Sequence, residues 1–413
     1  MLFNSNKEKF YYYTFPVFLF SLIPFFLITG PLLSDLAISL ISLIFLSYCF
    51  TKKNFSFFKN IYFYIFLIFW IYLIINSLFN NVNFDSLKIS FFYFRYGVFV
   101  IAIIALINVD DKFIKYFFYC IFICFTALIA DGFYQYFSGE NIFGWKSSER
   151  VSSFFGEEKI LGSYLSRLWP IFFGLSIFIL KKKSKLFFLF ILIFILSESL
   201  IFLSGDRSAF FNINLSAIFV ILFSKKLLKL RLTTLLSSIF LLTIISFINP
   251  TAKERVFDQT LKQMNLSKID KTDDIEIYVF SKEHTHHYIT AYKMYLDNKI
   301  FGVGVKNFRK FCKVDKYRHS QLSCASHPHN TYIQILSETG IFGFIFLILA
   351  LFYFVYYIIE HLKFRLKGKY FFNDFEICVL SAIAIYLWPF IPTGNVFSNW
   401  LNIAMIINLP FLF

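Results

Sequence analysis

Apolar stretches of roughly twenty residues follow one another almost from end to end of this chain, and no other feature constrains its fold as much. A stretch of that length crosses the hydrocarbon core of a bilayer as one helix, because in lipid each backbone N–H and C=O must be satisfied within the segment. Twelve such stretches lie near residues 13–30, 32–50, 61–79, 89–107, 114–137, 160–180, 186–203, 208–224, 232–248, 340–359, 376–392 and 396–412. They are continuously apolar rather than alternating, which excludes an outer-membrane barrel. Of the 413 residues, 58% are hydrophobic and only 16% charged, and a soluble fold of this length has no interior able to hide so much apolar surface. A soluble enzyme, a disordered protein and a secreted disulfide scaffold are excluded on the same ground. The expected fold is an all-α polytopic membrane protein of about 12 transmembrane helices with one large external loop. Met1 to Lys9 is polar and no small-residue cleavage site follows the first apolar run, so no cleavable signal peptide is expected.

The net charge of +15 is not a nucleic-acid footprint, because it sits in short clusters between the apolar runs. One set of alternate connections carries nineteen Lys and Arg, in clusters such as Lys181-Lys182-Lys183 and Lys363, Arg365, Lys367, Lys369. The short connections opposite carry five. The positive-inside rule then predicts both termini in the cytoplasm, helices 1–9 over residues 1–248, an external loop over 249–339 and the last three helices over 340–413. Three outward connections are too polar to be mere turns: 138–159, Ser204–Ser208 and the long loop. No nucleotide-binding Gly-rich loop occurs on the cytoplasmic side, so chemistry is expected on the outer face, without ATP or nucleotide sugars.

Several groups of residues carry chemistry in that setting. Ser204-Gly205-Asp206-Arg207-Ser208 caps a span at the membrane surface, where a guanidinium can grip a phosphate with two parallel bonds. A helix-end Arg that merely snorkels would read the same way. His327-Pro328-His329-Asn330 precedes a short amphipathic helix running into the tenth span, and His is the side chain best suited to act as a base near neutral pH. Glu149–Gly156, with Arg150, and the preceding Gln135 offer a second outward Arg with hydroxyls and a Gly turn. Arg255 opens the amphipathic stretch Val256–Leu266. His284, His286 and His287 resemble a metal tract by composition, but no second ligand pair closes a site, so no metal is expected. Cys312 and Cys324 both fall in the outer loop, where an oxidising compartment favours a disulfide. Asp35, Arg95, Asp131, Arg167 and Glu198 lie inside spans and should face the bundle interior or a wet cavity, as structural pairs or as functional groups.

Taken together, these residues resemble the bacterial O-antigen ligases of the polytopic ligase/polymerase superfamily. His329-Asn330, nine residues, then Gly340-Ile341-Phe342-Gly343 matches the ligase pattern H-[NSQ]-x9-G-x-x-G. The block around Arg207, the Gly302-Val303-Gly304 turn before Phe308, and the stretch around Gln135 and Arg150 support it, over roughly residues 90–360. The resemblance implies a GT-C-like fold and an inverting, metal-independent glycosyltransferase without cofactor. Such an enzyme moves a glycan from undecaprenyl pyrophosphate to lipid A–core on the periplasmic face of a Gram-negative inner membrane. It implies His329 as the base and Arg207 as a pyrophosphate ligand, with Arg255 as a second one and Arg150, Asn330 and Gln135 on pyrophosphate or glycan. The implied partners are the lipid-linked donor, the lipid A–core acceptor and membrane lipids. An O-antigen polymerase and a protein-glycosylating ligase share the motif. A lipid-linked glycan flippase is the rival of another class, but no internal repeat marks a transporter here.

Overall fold

Helix is the element formed throughout the described residues, apart from loops and an isolated bridge between Glu140 and Lys146. The computed structural model describes residues 6–80, 84–147, 150–179, 185–248, 253–264 and 278–412. Seven of its helices are long and apolar enough to cross a membrane: Pro31–Lys52, Ile61–Phe79, Phe84–Val109, Asp111–Ser138, Leu161–Ile179, Leu228–Phe247 and Thr331–Leu366. Shorter apolar helices pack among them. The region of interest is built from Lys185–Leu203 (α1), Arg207–Phe223 (α2), Leu228–Ile248 (α3), Lys282–Asp297 (α4), Thr331–Leu366 (α5) and Asp374–Leu387 (α6).

The chain is a polytopic helical membrane protein, with apolar side chains on both its inside and its outside. Tyr164, Trp169, Phe172 and Phe173 of Leu161–Ile179 are wholly buried at the centre. Phe240 and Phe352 on outer helix faces are 70% and 65% exposed, a surface that only lipid can cover. Three of the twelve expected spans are shorter than the hydropathy suggested, among them 396–412, which is regular α-helix only over Asn399–Ile406. The run 13–30 divides into Phe15–Ser21 and Ile23–Ile28, because Pro24 has no N–H to bond the preceding turn. The run 376–392 is helical only over α6, because Pro389 forces the residue before it out of helical geometry.

The ionisable residues within spans find partners. Arg95 pairs with Asp35 at 2.7 Å and reaches Asn399. Glu198 pairs with Arg231 at 2.6 Å. Arg231 is one of the nineteen basic residues of the Lys-rich connections, which as stop residues should lie at the surface, but it is wholly buried against the Trp169 ring. Asp131 accepts the Ile142 amide and the Ser153 hydroxyl. Arg167 donates to Ser163 and lies over Tyr386.

α5 is two helices joined at Gly340, whose φ of 64° and ψ of −166° belong to glycine. The turn after α4 fits into this break. The amides of Val303 and Gly304 donate to the carbonyls of Ser337 and Glu338, each at 2.9 Å, and the amide of Ile341 donates to Lys299 at 2.8 Å. Tyr72 donates to the Thr339 carbonyl, and Asn76 to that of Phe301. Cys312 and Cys324 form a disulfide with their Cα atoms 5.2 Å apart. Together these hydrogen bonds fasten residues 298–304 to the break in α5 at Gly340.

Candidate active site

His329 lies just before α5 with a φ of 59°, a left-handed backbone that an L-residue adopts only when its surroundings enforce it. Those surroundings come from both sides. Asn330 caps α5, its Oδ1 accepting the amides of Tyr332 and Ile333 at 2.9 and 3.1 Å, while its Nδ2 donates to the Pro389 carbonyl at 2.8 Å. The Thr393 amide donates to the His329 carbonyl at 2.8 Å. His327 Nε2 donates to the Thr393 carbonyl at 3.1 Å. In the neutral ring its Nδ1, 2.8 Å from the Ser326 hydroxyl, is then an acceptor. The chain just beyond α6 thus holds His329 from behind and leaves its imidazole without a hydrogen bond among the described residues.

Three more imidazoles surround that ring. The centroid of His327 is 4.0 Å away, that of His284 5.3 Å and that of His287 5.5 Å. His284 and His287 stand one turn apart on α4, whose cap is Ser281, with its hydroxyl accepting the His284 amide. His287 is buried and its Nδ1 has no partner among the described residues. Burial, followed by repulsion from His327, His284 and His287, pushes His329 down to about 3. Burial likewise brings His284 and His327 to about 4 and lowers His287. Arg207 adds to the lowering of His284, and Lys306 to that of His327, so cations approach the cluster from two directions. Glu283 opposes this at His284 and, more prominently, at His287. The four rings are therefore neutral near pH 7, in a pocket of positive potential. An acceptor N of His329 can take a proton there, and an anion arriving beside it would raise its basicity. No three His, Cys, Asp or Glu side chains among the described residues form a metal-ligating group.

Arg207 begins α2, where Asp206 caps the helix by accepting the Ala209 amide at 3.1 Å. Its Nη1 donates to Thr260 at 3.2 Å and to Gln263 at 2.7 Å, which ties the helix Gln259–Gln263 to the start of α2. Arg255 lies one turn earlier, in Glu254–Asp258, and its side chain lies outside the described residues. Arg150 donates to the Ser204 carbonyl at 2.8 Å, joining the connection after Asp111–Ser138 to the Arg207 turn. Gln135 is wholly buried. Its amide nitrogen donates to Trp145 and Ser152, and its oxygen accepts the amides of Ser152 and Ser153. Its contacts hold Trp145 and Ser152–Ser153 together.

The structure thus brings Arg207, His284, His287, His327 and His329 into one region. The sequence pointed to Arg207 and His329 and gave no role beside them to the other three. A signal for two of them was present: Ser281 with His at the third and sixth positions after it is a helix cap followed by two side chains on one face. What no sequence pattern carries is the packing of that face on His329. Residues 188–348, which hold both Arg207 and His329, match the family described as O-antigen ligase. No curated protein matches the chain.

Proposed function

On the match of residues 188–348 to the family described as O-antigen ligase, we propose that this chain transfers a glycan from undecaprenyl pyrophosphate to lipid A–core at the periplasmic face of a Gram-negative inner membrane. The observation that carries the reading is the His329 imidazole, neutral and without a hydrogen bond among the described residues, packed against His284, on which the charge of Arg207 acts. The acceptor hydroxyl gives its proton to His329 as its oxygen attacks the anomeric carbon of the donor sugar. The bond from that carbon to the phosphate oxygen breaks with its electron pair, and the configuration inverts. Arg207, with Arg255 as a second cation, holds the departing pyrophosphate, and the charge it carries away is what these groups stabilise. The donor brings its own leaving group, so positioning, a base and cations suffice without metal or cofactor. Both termini lie in the cytoplasm in this reading, and the 249–339 loop is periplasmic.

The products formed by His329→Ala test the assignment. A positioned base supplies on the order of 10²–10⁴-fold, so transfer should be lost while the protein still inserts and binds donor. For a ligase, lipid A–core then stays bare and long chains accumulate on undecaprenyl pyrophosphate. Lipid A–core capped with a single repeat unit would identify a polymerase. Undiminished transfer by the purified variant would remove His329 from the chemistry altogether.

A further inference from the structure

Lys306, the second cation beside the histidines, has no part in the proposed reaction. Its backbone has a φ of 59°, a posture that glycine takes freely and lysine takes only where its neighbours enforce it. Those neighbours are buried. Glu338, wholly buried in the first helix of α5, accepts the backbone amides of Lys306 and of Phe308, the latter at 2.9 Å. Gln334 donates to the same carboxylate at 3.0 Å and to Asn395 at 2.8 Å, while its oxygen accepts the Val396 amide at 3.0 Å. The turn that carries Lys306 is thus fixed to the same stretch of chain whose Thr393 holds His329. Val305 and Asn307 on either side are buried. Lys306 is half-buried, and its ammonium makes no hydrogen bond among the described residues. Asp85 and Glu338 attract that charge and Arg309 repels it.

Two cations therefore act on the imidazoles through different rings. The charge of Arg207 acts on His284 and that of Lys306 on His327, and these two rings stand 5.3 and 4.0 Å from His329. Displacement with inversion sets a constraint on them. The attacking hydroxyl and the departing phosphate lie on opposite sides of the anomeric carbon, so a cation on the leaving group does not also serve the nucleophile. With Arg207 on the pyrophosphate, Lys306 is left to the acceptor.

We propose that Lys306 binds an anionic substituent, a phosphate or a carboxylate, that the acceptor oligosaccharide carries close to the hydroxyl delivered to His329. The proposal rests on the transfer reaction proposed for this chain and adds how the acceptor is chosen. An ammonium is a compact point charge that meets a single phosphate or carboxylate group, whereas the fork of Arg207 suits a diphosphate. Partly removed from water, such a contact is stronger than at an open surface. A neutral sugar in the same place would leave the ammonium desolvated without a partner, so the site selects against acceptors that lack the charge.

The test uses the full chain in nanodiscs and a core oligosaccharide as acceptor probe, either native, treated with phosphatase, or with its carboxylates reduced to alcohols. Lys306→Gly removes the ammonium and suits the left-handed posture, so the turn should persist. It should bind the native probe about tenfold more weakly than wild type, and raise the acceptor KM by a similar factor with kcat and donor KM unchanged. Arg309→Gln, which removes an exposed cation close by, should change neither. Weaker wild-type binding of the phosphatase-treated probe identifies a phosphate, and of the reduced probe a carboxylate. In either case Lys306→Gly should no longer distinguish the treated probe from the native one. Equal wild-type binding of all three probes, or a rise in donor KM in place of acceptor KM, would overturn the proposal. Binding that depends on Lys306 in a wild type that transfers nothing would refute the proposed reaction and leave the acceptor seat standing.

Discussion

Replacing Gly340 by Ala should release the long loop from α5, and the size of the effect follows from what surrounds that residue. Its φ of 64° with ψ of −166° is a region that side-chain-bearing residues avoid at on the order of 1–3 kcal/mol. A Cβ there would also run into the Ile300 carbonyl and the Phe301 amide, which are backbone atoms with no rotamer to change. The three backbone hydrogen bonds across the break, from Val303, Gly304 and Ile341, contribute roughly 1 kcal/mol each if they open together. Local destabilisation of at least about 2 kcal/mol is therefore expected, which is roughly 30-fold in the opening equilibrium. Hydrogen exchange followed by mass spectrometry reads it directly, as faster exchange of peptides covering 298–311 at unchanged exchange in Leu161–Ile179. Transfer should fall with it, because the same contacts place α4, with His284 and His287, against His329. Gly394→Ala is the control, because its Cβ would meet only the Leu401 side chain, at an ordinary 3.7 Å. Equal protection in Gly340→Ala and wild type would refute the argument that this break anchors the loop.

Arg207→Lys should lose roughly 10²-fold in kcat/KM with purified donor and acceptor, since a point charge does not replace a fork at a pyrophosphate; near-normal transfer by Arg207→Ala would reduce Arg207 to a tie between α2 and the Gln259–Gln263 helix. Extraction under a thiol block followed by peptide mapping should recover Cys312 and Cys324 as one bridged species, worth roughly 3 kcal/mol to the loop it closes. Two blocked thiols would contradict it. His329 has a lowered pKa, so its base form persists as pH falls, and kcat/KM should hold well below the ordinary histidine value of about 6.5 before its acid limb begins. His327→Gln, which removes a neighbour that lowers His329, should move that limb upward; a wild-type limb at the ordinary value would contradict the burial and repulsion described.

How much of this could be read in the sequence varies with the range of the interaction. Pro31–Lys52 and Ile61–Phe79 were legible almost to the residue, because an apolar run of the right length leaves the backbone no alternative in lipid. Pro24 and Pro389 were visible too, but averaging apolarity over a window hides a single missing N–H. Arg231 looked like a stop residue because it follows Lys229 in a basic stretch, and only the position of Glu198 on the neighbouring helix draws it inside. Gln135 illustrates a different limit. A polar side chain at the outer end of a span reads alike whether it serves a sugar or its own loop, and here four bonds tie it to the loop. His329 and Arg207 stood out through short, local patterns. The ring of imidazoles did not, since it depends on α4 folding back over α5 through hydrogen bonds between backbone groups, which no side chain announces.

The grip of Thr393 and Pro389 on the residues around His329 bears on how the protein is made. These two residues come late in the chain, beyond the segment that carries the family match. During synthesis the long loop and its histidines are complete well before the chain that holds His329 in its left-handed posture has left the ribosome. In the proposed reaction the nascent protein thus passes through a stage in which Arg207 and His329 are both present but His329 is not yet held, and the chain around Pro389 and Thr393 completes the site. A gene truncated shortly before Pro389 should therefore yield an inert product rather than a weakened one, and separately expressed halves divided between α5 and α6 should regain activity only where the second half docks behind His329.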